Sequence, residues 1–378
     1  MIATVNCSKE NSLYFALKEL KEKVSNLKTN FDFFIFAIHP KYGYEDVTYF
    51  INKFFKTDNW IAFHALDAFS NTEIVEGISL LSLKFEKNGR IGKFLVENIE
   101  EQSALERTAD YLNRNTGKLH LIFSGLCEHN MGYFIENLSN LLNYSYVNNI
   151  IGGLSSGFEN DGEVLTYQFT ENKVIKNGFV ILSFDNFDFE IGISLGFRPY
   201  GIAYTIEDAS GYRIYKTDDG KNFSYLVQNL MKGVENDVRN LWYSPINILD
   251  EKDGYVATMR TFRKVEKDYV EFYGPVKKGQ KFKFSYGDKD EILEEDRRVA
   301  LKVKKSIRYP DVILNFSCTA RQFVLEDLNY VENEIYTQVL NAPLFGFFTY
   351  GEIGPDKFFK SLKFYNQTSL LVALREKQ

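Results

Sequence analysis

Residues 312–321 read Val312-Ile-Leu-Asn-Phe-Ser-Cys-Thr-Ala-Arg321, and residues 343–354 read Pro343-Leu-Phe-Gly-Phe-Phe-Thr-Tyr-Gly-Glu-Ile-Gly354. In each, a short apolar run stops abruptly at small polar residues. Apolar runs of this length, bounded by turn residues, read as buried strands. A helix-like stretch, 330–340, lies between them, giving the strand–helix–strand texture of an α/β chain. Polar groups at the ends of buried strands are where such folds place ligand sites, because the backbone is exposed there on a rigid scaffold. The candidate site residues are therefore Ser317, Cys318 and Arg321 at the first strand end, and Thr349, Tyr350 and Glu352 at the second.

Working outward, the same unit occurs three times. One copy runs from the strand 33–38 through the loop at His39, a helix over 44–55 and a strand over 60–63 to a later strand, 77–85. Another runs from 119–123 through the loop 124–130, a helix over 133–142 and a strand near 148–151 to strands at 164–169 and 178–184. The third begins at 312 and ends with strands at 362–365 and 369–374. Strand–loop–helix–strand–turn–strand units bring loop and turn to one sheet edge. The recurrence points to internal duplication, although alternating α/β segments produce a similar texture without it. It places the loop 124–130 and the segment Gly152-Gly153-Leu-Ser-Ser-Gly157 where Ser317–Arg321 and Thr349–Gly354 stand in the last copy. Glycine there would let a ligand approach the main chain.

Between the second and third copies the texture changes to antiparallel strands broken by Gly and Pro, over 190–215 and 246–285, with a helix over 222–234. The segment 290–305 begins with acids and ends with bases, as a helix dipole favours. The fold class expected is α/β (α+β): two lobes of mixed and antiparallel sheets layered with helices, with a boundary near 215–240.

Composition sets limits. With 378 residues, 44% hydrophobic and 25% charged, the chain is long enough for two domains and excludes disorder. A net charge of −6 without a basic block argues against nucleic acid as a partner. No apolar run is long enough to span a bilayer, so no membrane insertion is expected. The opening residues lack the apolar core of a signal peptide. Three scattered cysteines, Cys7, Cys127 and Cys318, form neither a disulfide framework nor a zinc motif and fit a reducing compartment. The expected location is the cytoplasm.

The candidate chemistry is thin. Arg321 and Glu352 together could clamp a zwitterion, the guanidinium taking a carboxylate and the carboxylate an ammonium; a structural salt bridge is the plain alternative. Cys318 as a nucleophile would need a base or a pKa-lowering neighbour, and the sequence supplies none. Cys127-Glu-His129 offers too few ligands for a metal site. The Gly152–Gly157 loop lacks the lysine and spacing of a phosphate cradle. No enzyme activity, metal or cofactor is expected.

These residues resemble a known family. Ile150-Ile-Gly-Gly-Leu-Ser-Ser-Gly157, Gly196-Phe-Arg-Pro-Tyr-Gly201, Asp219-Gly220, Phe316-Ser-Cys-Thr-Ala-Arg321 with Glu332 and Glu334, Gly346-Phe-Phe-Thr-Tyr-Gly-Glu-Ile353 and Tyr365-Asn-Gln-Thr368 are similar to the motifs of FIST-domain proteins. The resemblance covers about 28–375. It implies an N-terminal lead-in with a helix (1–27), a FIST N-like domain (28–220) and a FIST C-like domain (221–378). It also implies a sensory domain that binds a small ligand, such as an amino acid, and signals through a protein partner in trans; a protein-interaction scaffold or adaptor without a small ligand is the alternative. Two positions depart from the family: Tyr365 replaces a histidine, and His64-Ala65 replaces a Gly-rich turn.

Overall fold

The strand Phe33–Ile38 is buried along its whole length, and its alternate residues serve two different cores. Phe33, Ile35 and Ala37 point into a cluster at the centre of the molecule, whereas Phe34, Phe36 and Ile38 pack against helices Leu13–Asn26 and Val47–Phe55. Period-2 alternation with both faces apolar is what a sheet between two layers requires. The strands Leu119–Ser124 and Val312–Cys318 repeat the pattern, with Leu119, Leu121 and Phe123, and Val312, Leu314 and Phe316, entering the same central cluster. Three sheets therefore share one inner core and carry their helices outside. A computed structural model shows this architecture and describes residues 1–127, 130–143, 147–160, 163–218, 220–231, 237–250 and 252–377. Glu128, His129 and Asp219, named above, lie outside the described residues.

Each sheet has six strands and is built on one plan. In the first, Phe33–Ile38 pairs in parallel with Trp60–His64 and antiparallel with Ile78–Lys84, which pairs with Ile2–Ser8. In the second, Leu119–Ser124 pairs with Ile150–Leu154 and Phe179–Asp185, flanked by Arg90–Val96. In the third, Val312–Cys318 pairs with Leu344–Thr349 and Ser369–Glu376, flanked by Phe187–Ser194. The three copies exchange hairpins in a ring. Ala68–Ser70 of the first copy extends the third sheet. Gln168–Phe169 of the second extends the first, and Glu352–Pro355 of the third extends the second.

The registers make Ala37/Phe63, Phe123/Gly153 and Phe316/Phe347 equivalent pairs facing the axis. Four of these six residues are Phe, and their rings close a circuit: Phe63–Phe123 at 4.7 Å, Phe123–Phe316 at 5.8 Å, Phe316–Phe347 at 5.7 Å and Phe347–Phe63 at 4.5 Å. Gly153 leaves the room they fill: a Cβ there would lie 2.5 Å from Thr349 Cγ2. Fully burying a large apolar side chain contributes about 1.5–3 kcal/mol, so this axial cluster is a main source of cohesion.

Between Phe187–Ser194 and the helix Lys289–Ser306 the third copy carries an insertion. It is a seven-stranded antiparallel sheet, with Lys281–Gly287 and the long strand Phe197–Ser210 at its middle, and it has its own core around Phe223, Phe272, Phe282 and Phe284. The helix expected over 222–234 is seen as Phe223–Leu230, and 232–236 lie outside the described residues. The expected α/β class, with mixed and antiparallel sheets layered with helices, is what the structure shows; the lobe boundary expected near 215–240 instead falls inside the inserted sheet, whose strands on both sides of that range pair with one another.

Candidate functional site

The second and third copies end their parallel strands against the inserted sheet, and a cavity of about 840 Å3 lies in the seam. Its floor comes from the three-sheet body: Leu126, Cys127 and Thr166 from the second copy, and Cys318, Thr319, Ala320, Thr349 and Tyr350 from the third. Its roof comes from the insertion: Arg213, Trp242, Thr261, Arg263, Lys264, Tyr269, Glu271 and Tyr273. The bodies are tied beside it. Thr258 Oγ1 and Arg260 Nη1 donate to the Phe364 carbonyl at 3.0 and 3.1 Å, and Gln367 Nε2 donates to the Trp242 carbonyl at 3.0 Å.

Of the residues singled out in the sequence, Cys318, Thr349 and Tyr350 line this cavity. Tyr350 Oη donates to the Gly157 carbonyl at 2.8 Å, closing one corner. The Cys318 thiol is buried, and burial followed by the neighbouring Glu352 carboxyl pushes it far above its ordinary value, so it is held as a thiol.

The other candidates lie behind the wall. Arg321 does not sit in a loop: Val312–Cys318 completes its strand and the helix Thr319–Leu325 follows at once. That helix turns the guanidinium inward, fully buried. Nη2 donates to both Asp296 oxygens at 2.8 Å and to Glu332 Oε2 at 2.8 Å, and Nε donates to Glu332 Oε2 at 3.1 Å. Asp296, on the helix Lys289–Ser306, is a fully buried partner of Arg321. Desolvation pushes its carboxyl up to about 7 against the pull of the guanidinium. Arg321 and Glu352 therefore do not face a shared opening, and the zwitterion clamp is not the geometry seen.

Glu352 is fully buried on the exchanged hairpin, paired with Gly153. Thr349 Oγ1 donates to its Oε1, and the Thr368 amide lies 3.3 Å from Oε2. Burial raises its carboxyl well above the ordinary range. Ser317 is a buried strand residue. Gly152 and Gly153 stand in the strand Ile150–Leu154 and do not line the cavity; a Cβ on Gly152 would meet the Ile122 carbonyl at 2.1 Å. Their small size serves strand packing. Among the described residues, no group of three or more His, Cys, Asp and Glu converges as a metal site. Among them also, no helix is long and apolar enough to cross a membrane.

The chain matches the FIST N domain over residues 32–219 and the FIST C domain over residues 224–355. It is a FIST-domain protein. FIST domains are associated with sensing and signal transduction. A protein of Aquifex aeolicus (strain VF5), described as an uncharacterized protein, is 37% identical over 262 residues, covering 67% of this chain and 97% of that protein. In this FIST protein, the step from FIST N to FIST C falls within the inserted sheet, between Arg213–Thr217 and Phe223–Leu230. The family's Thr-Tyr-Gly-Glu segment supplies the cavity's Thr349 and Tyr350. Tyr365, where the family keeps histidine, is buried, and its Oη donates to the Pro355 carbonyl at 2.7 Å.

The roof residues went unread in the sequence. Arg213, Arg263 and Glu271 are dispersed over 59 positions and meet only because three strands pair, with Arg213 opposite Glu271 and Lys264 opposite the same residue. Opposite charges on neighbouring strands are a usable signal only once the register is known.

Proposed function

We propose that this FIST protein is a non-catalytic cytoplasmic sensor that binds a small molecule in the seam cavity and signals through a protein partner in trans. The carrying observation is that the cavity wall is divided between two bodies, each with a core of its own, joined by a smaller shared cluster of Phe197, Met259, Ile292, Val324 and Leu325. A ligand touching both halves binds the closed arrangement better than any arrangement in which they part. Only such differential affinity lets a ligand shift a conformational equilibrium. Sites at domain seams, with mixed apolar and polar walls, are also common for small molecules. The protonated state of Cys318 supports a wall role for it in place of a nucleophile's.

The test is a thermal-shift screen of small metabolites against the intact chain and a cavity-filling variant, Ala320→Phe. A ligand that occupies the seam raises Tm in the parent by mass action and not in the variant. A shift of equal size in a folded Ala320→Phe protein would place the ligand elsewhere and refute the reading.

A further inference from the structure

We infer, building on the seam-cavity reading above, that the ligand is a polyanion: a small molecule with two or more negative charges, carried as phosphoesters or as several carboxylates. The described residues that line the cavity include four cations, Lys176, Arg213, Arg263 and Lys264, and one acid, Glu271; Lys264 pairs with Glu266 beside the wall, and the two arginines share the single carboxylate of Glu271. Such a lining stands out in a chain whose net charge is −6. Like charges gathered around a partly closed space repel, and an anion entering it is drawn by the summed field.

The acid does not cancel the basic groups so much as arrange them. Glu271 is buried, with one oxygen on each arginine: Oε2 accepts from Arg213 Nε at 2.7 Å and Oε1 accepts from Arg263 Nη1 at 2.8 Å. The Arg213 guanidinium also stacks 4.5 Å from the centre of the Tyr269 ring. Each guanidinium has five N–H donors in a rigid fork, so one anchored bond orients the fork and leaves further donors for a second oxyanion. Both arginines face the cavity while sharing the carboxylate behind them. Lys264 projects from the neighbouring strand, opposite Glu271 in the ladder, and pairs with Glu266.

The same features disfavour a zwitterionic amino acid. An ammonium needs an acceptor cluster, and the one described acid in the wall already accepts from two arginines. The remainder of the wall suits the less polar part of a ligand: Trp242, Tyr269, Tyr273 and Tyr350 offer ring surfaces, and the hydroxyls of Thr319 and Thr349 on the floor already donate to the Thr349 carbonyl and to Glu352. A molecule with anionic groups on the roof and its body on the floor would bridge the two halves.

The experiment is calorimetric and thermal-shift titration of the intact protein with pyrophosphate, citrate and glutamine at low ionic strength. Pyrophosphate or citrate should bind and raise Tm, with glutamine inert, and the stronger of the two separates phosphoester from polycarboxylate recognition. Affinity should fall about tenfold or more in Arg263→Gln, the loss expected for one charge-assisted bond, and also on raising salt to screen the field. If Arg263→Gln does not fold, Lys264→Gln on the exposed rim reads the same electrostatic loss. Binding of glutamine in preference to both anions, abolished by Ala320→Phe, would overturn the polyanion and leave the cavity standing. Anion binding that survives Ala320→Phe unchanged would overturn the cavity itself. No binding of either anion at millimolar concentration would refute the polyanion.

Discussion

At the scale of single residues, Arg321 shows how a motif can be structural and still look like a site. Its guanidinium is enclosed by two carboxylates, and each of these has further neutral partners. Tyr336 Oη donates to Asp296 Oδ1 at 3.1 Å, and Asn315 Nδ2 donates to Glu332 Oε1 at 2.7 Å. Buried ion groups of this kind contribute little against an apolar replacement, but removing one member leaves an uncompensated charge. Arg321→Met should therefore destabilise the fold by about 3–5 kcal/mol, read from urea denaturation. The triple variant Asp296→Leu/Arg321→Met/Glu332→Leu should recover much of that loss. A single variant as stable as the parent would show that the triad is not what holds the helix Thr319–Leu325 against the strand it follows.

At the scale of elements, the repeats explain the buried carboxyl. Glu352, Gln168 and Ala68 all stand opposite the equivalent axial position of the next copy's strand, at Gly153, Phe63 and Phe347. Gln168 Nε2 donates to Ser155 Oγ at 3.0 Å, as Glu352 meets Thr349 in the third copy. A glutamic acid and a glutamine thus take the same place, the glutamine donating to its hydroxyl neighbour and the carboxyl accepting from its own. Because the folded-state value of Glu352 is raised by burial, the native protein holds a proton that the unfolded chain has already lost, so stability falls as pH rises above the ordinary carboxyl range. Glu352→Gln removes that dependence. Its stability relative to the parent should rise with pH between 5 and 8, at up to about 1.4 kcal/mol per unit; parallel stability–pH curves would refute a protonated Glu352. The strands themselves were legible, because a strand buried on both faces is a continuous apolar run, as in Phe33–Ile38. The helix Thr319–Leu325 was not: Thr-Ala-Arg-Gln-Phe-Val-Leu is too short to show a period. The floor of the cavity was legible through the polar strand ends at Cys318 and Thr349. The roof was not, since register is fixed by long-range pairing that sequence spacing does not encode.

At the scale of the whole molecule, the exchanged hairpins make the three sheets interdependent. Every sheet takes two of its six strands from another copy: Gln168–Phe169 and Val174–Ile175 in the first, Glu352–Pro355 and Leu362–Tyr365 in the second, and Ala68–Ser70 and Glu73–Val75 in the third. Losing one copy would strip a neighbour of a hairpin and also open the shared aromatic axis. The inserted sheet differs, since it has its own core and meets the body through the seam. Native-state hydrogen exchange should therefore divide the molecule in two. Amides of Phe33–Ile38, Leu119–Ser124 and Val312–Cys318 should exchange only through one common opening, with equal free energies and equal denaturant dependence. Amides of the inserted strands Arg213–Thr217 and Val270–Phe272 should open at lower cost, and a seam ligand should raise that cost towards the common value, because it binds only while the two halves are together. A central strand in one of the three sheets that exchanges well below the other two would break the ring of dependence and mean that the copies fold as separate units.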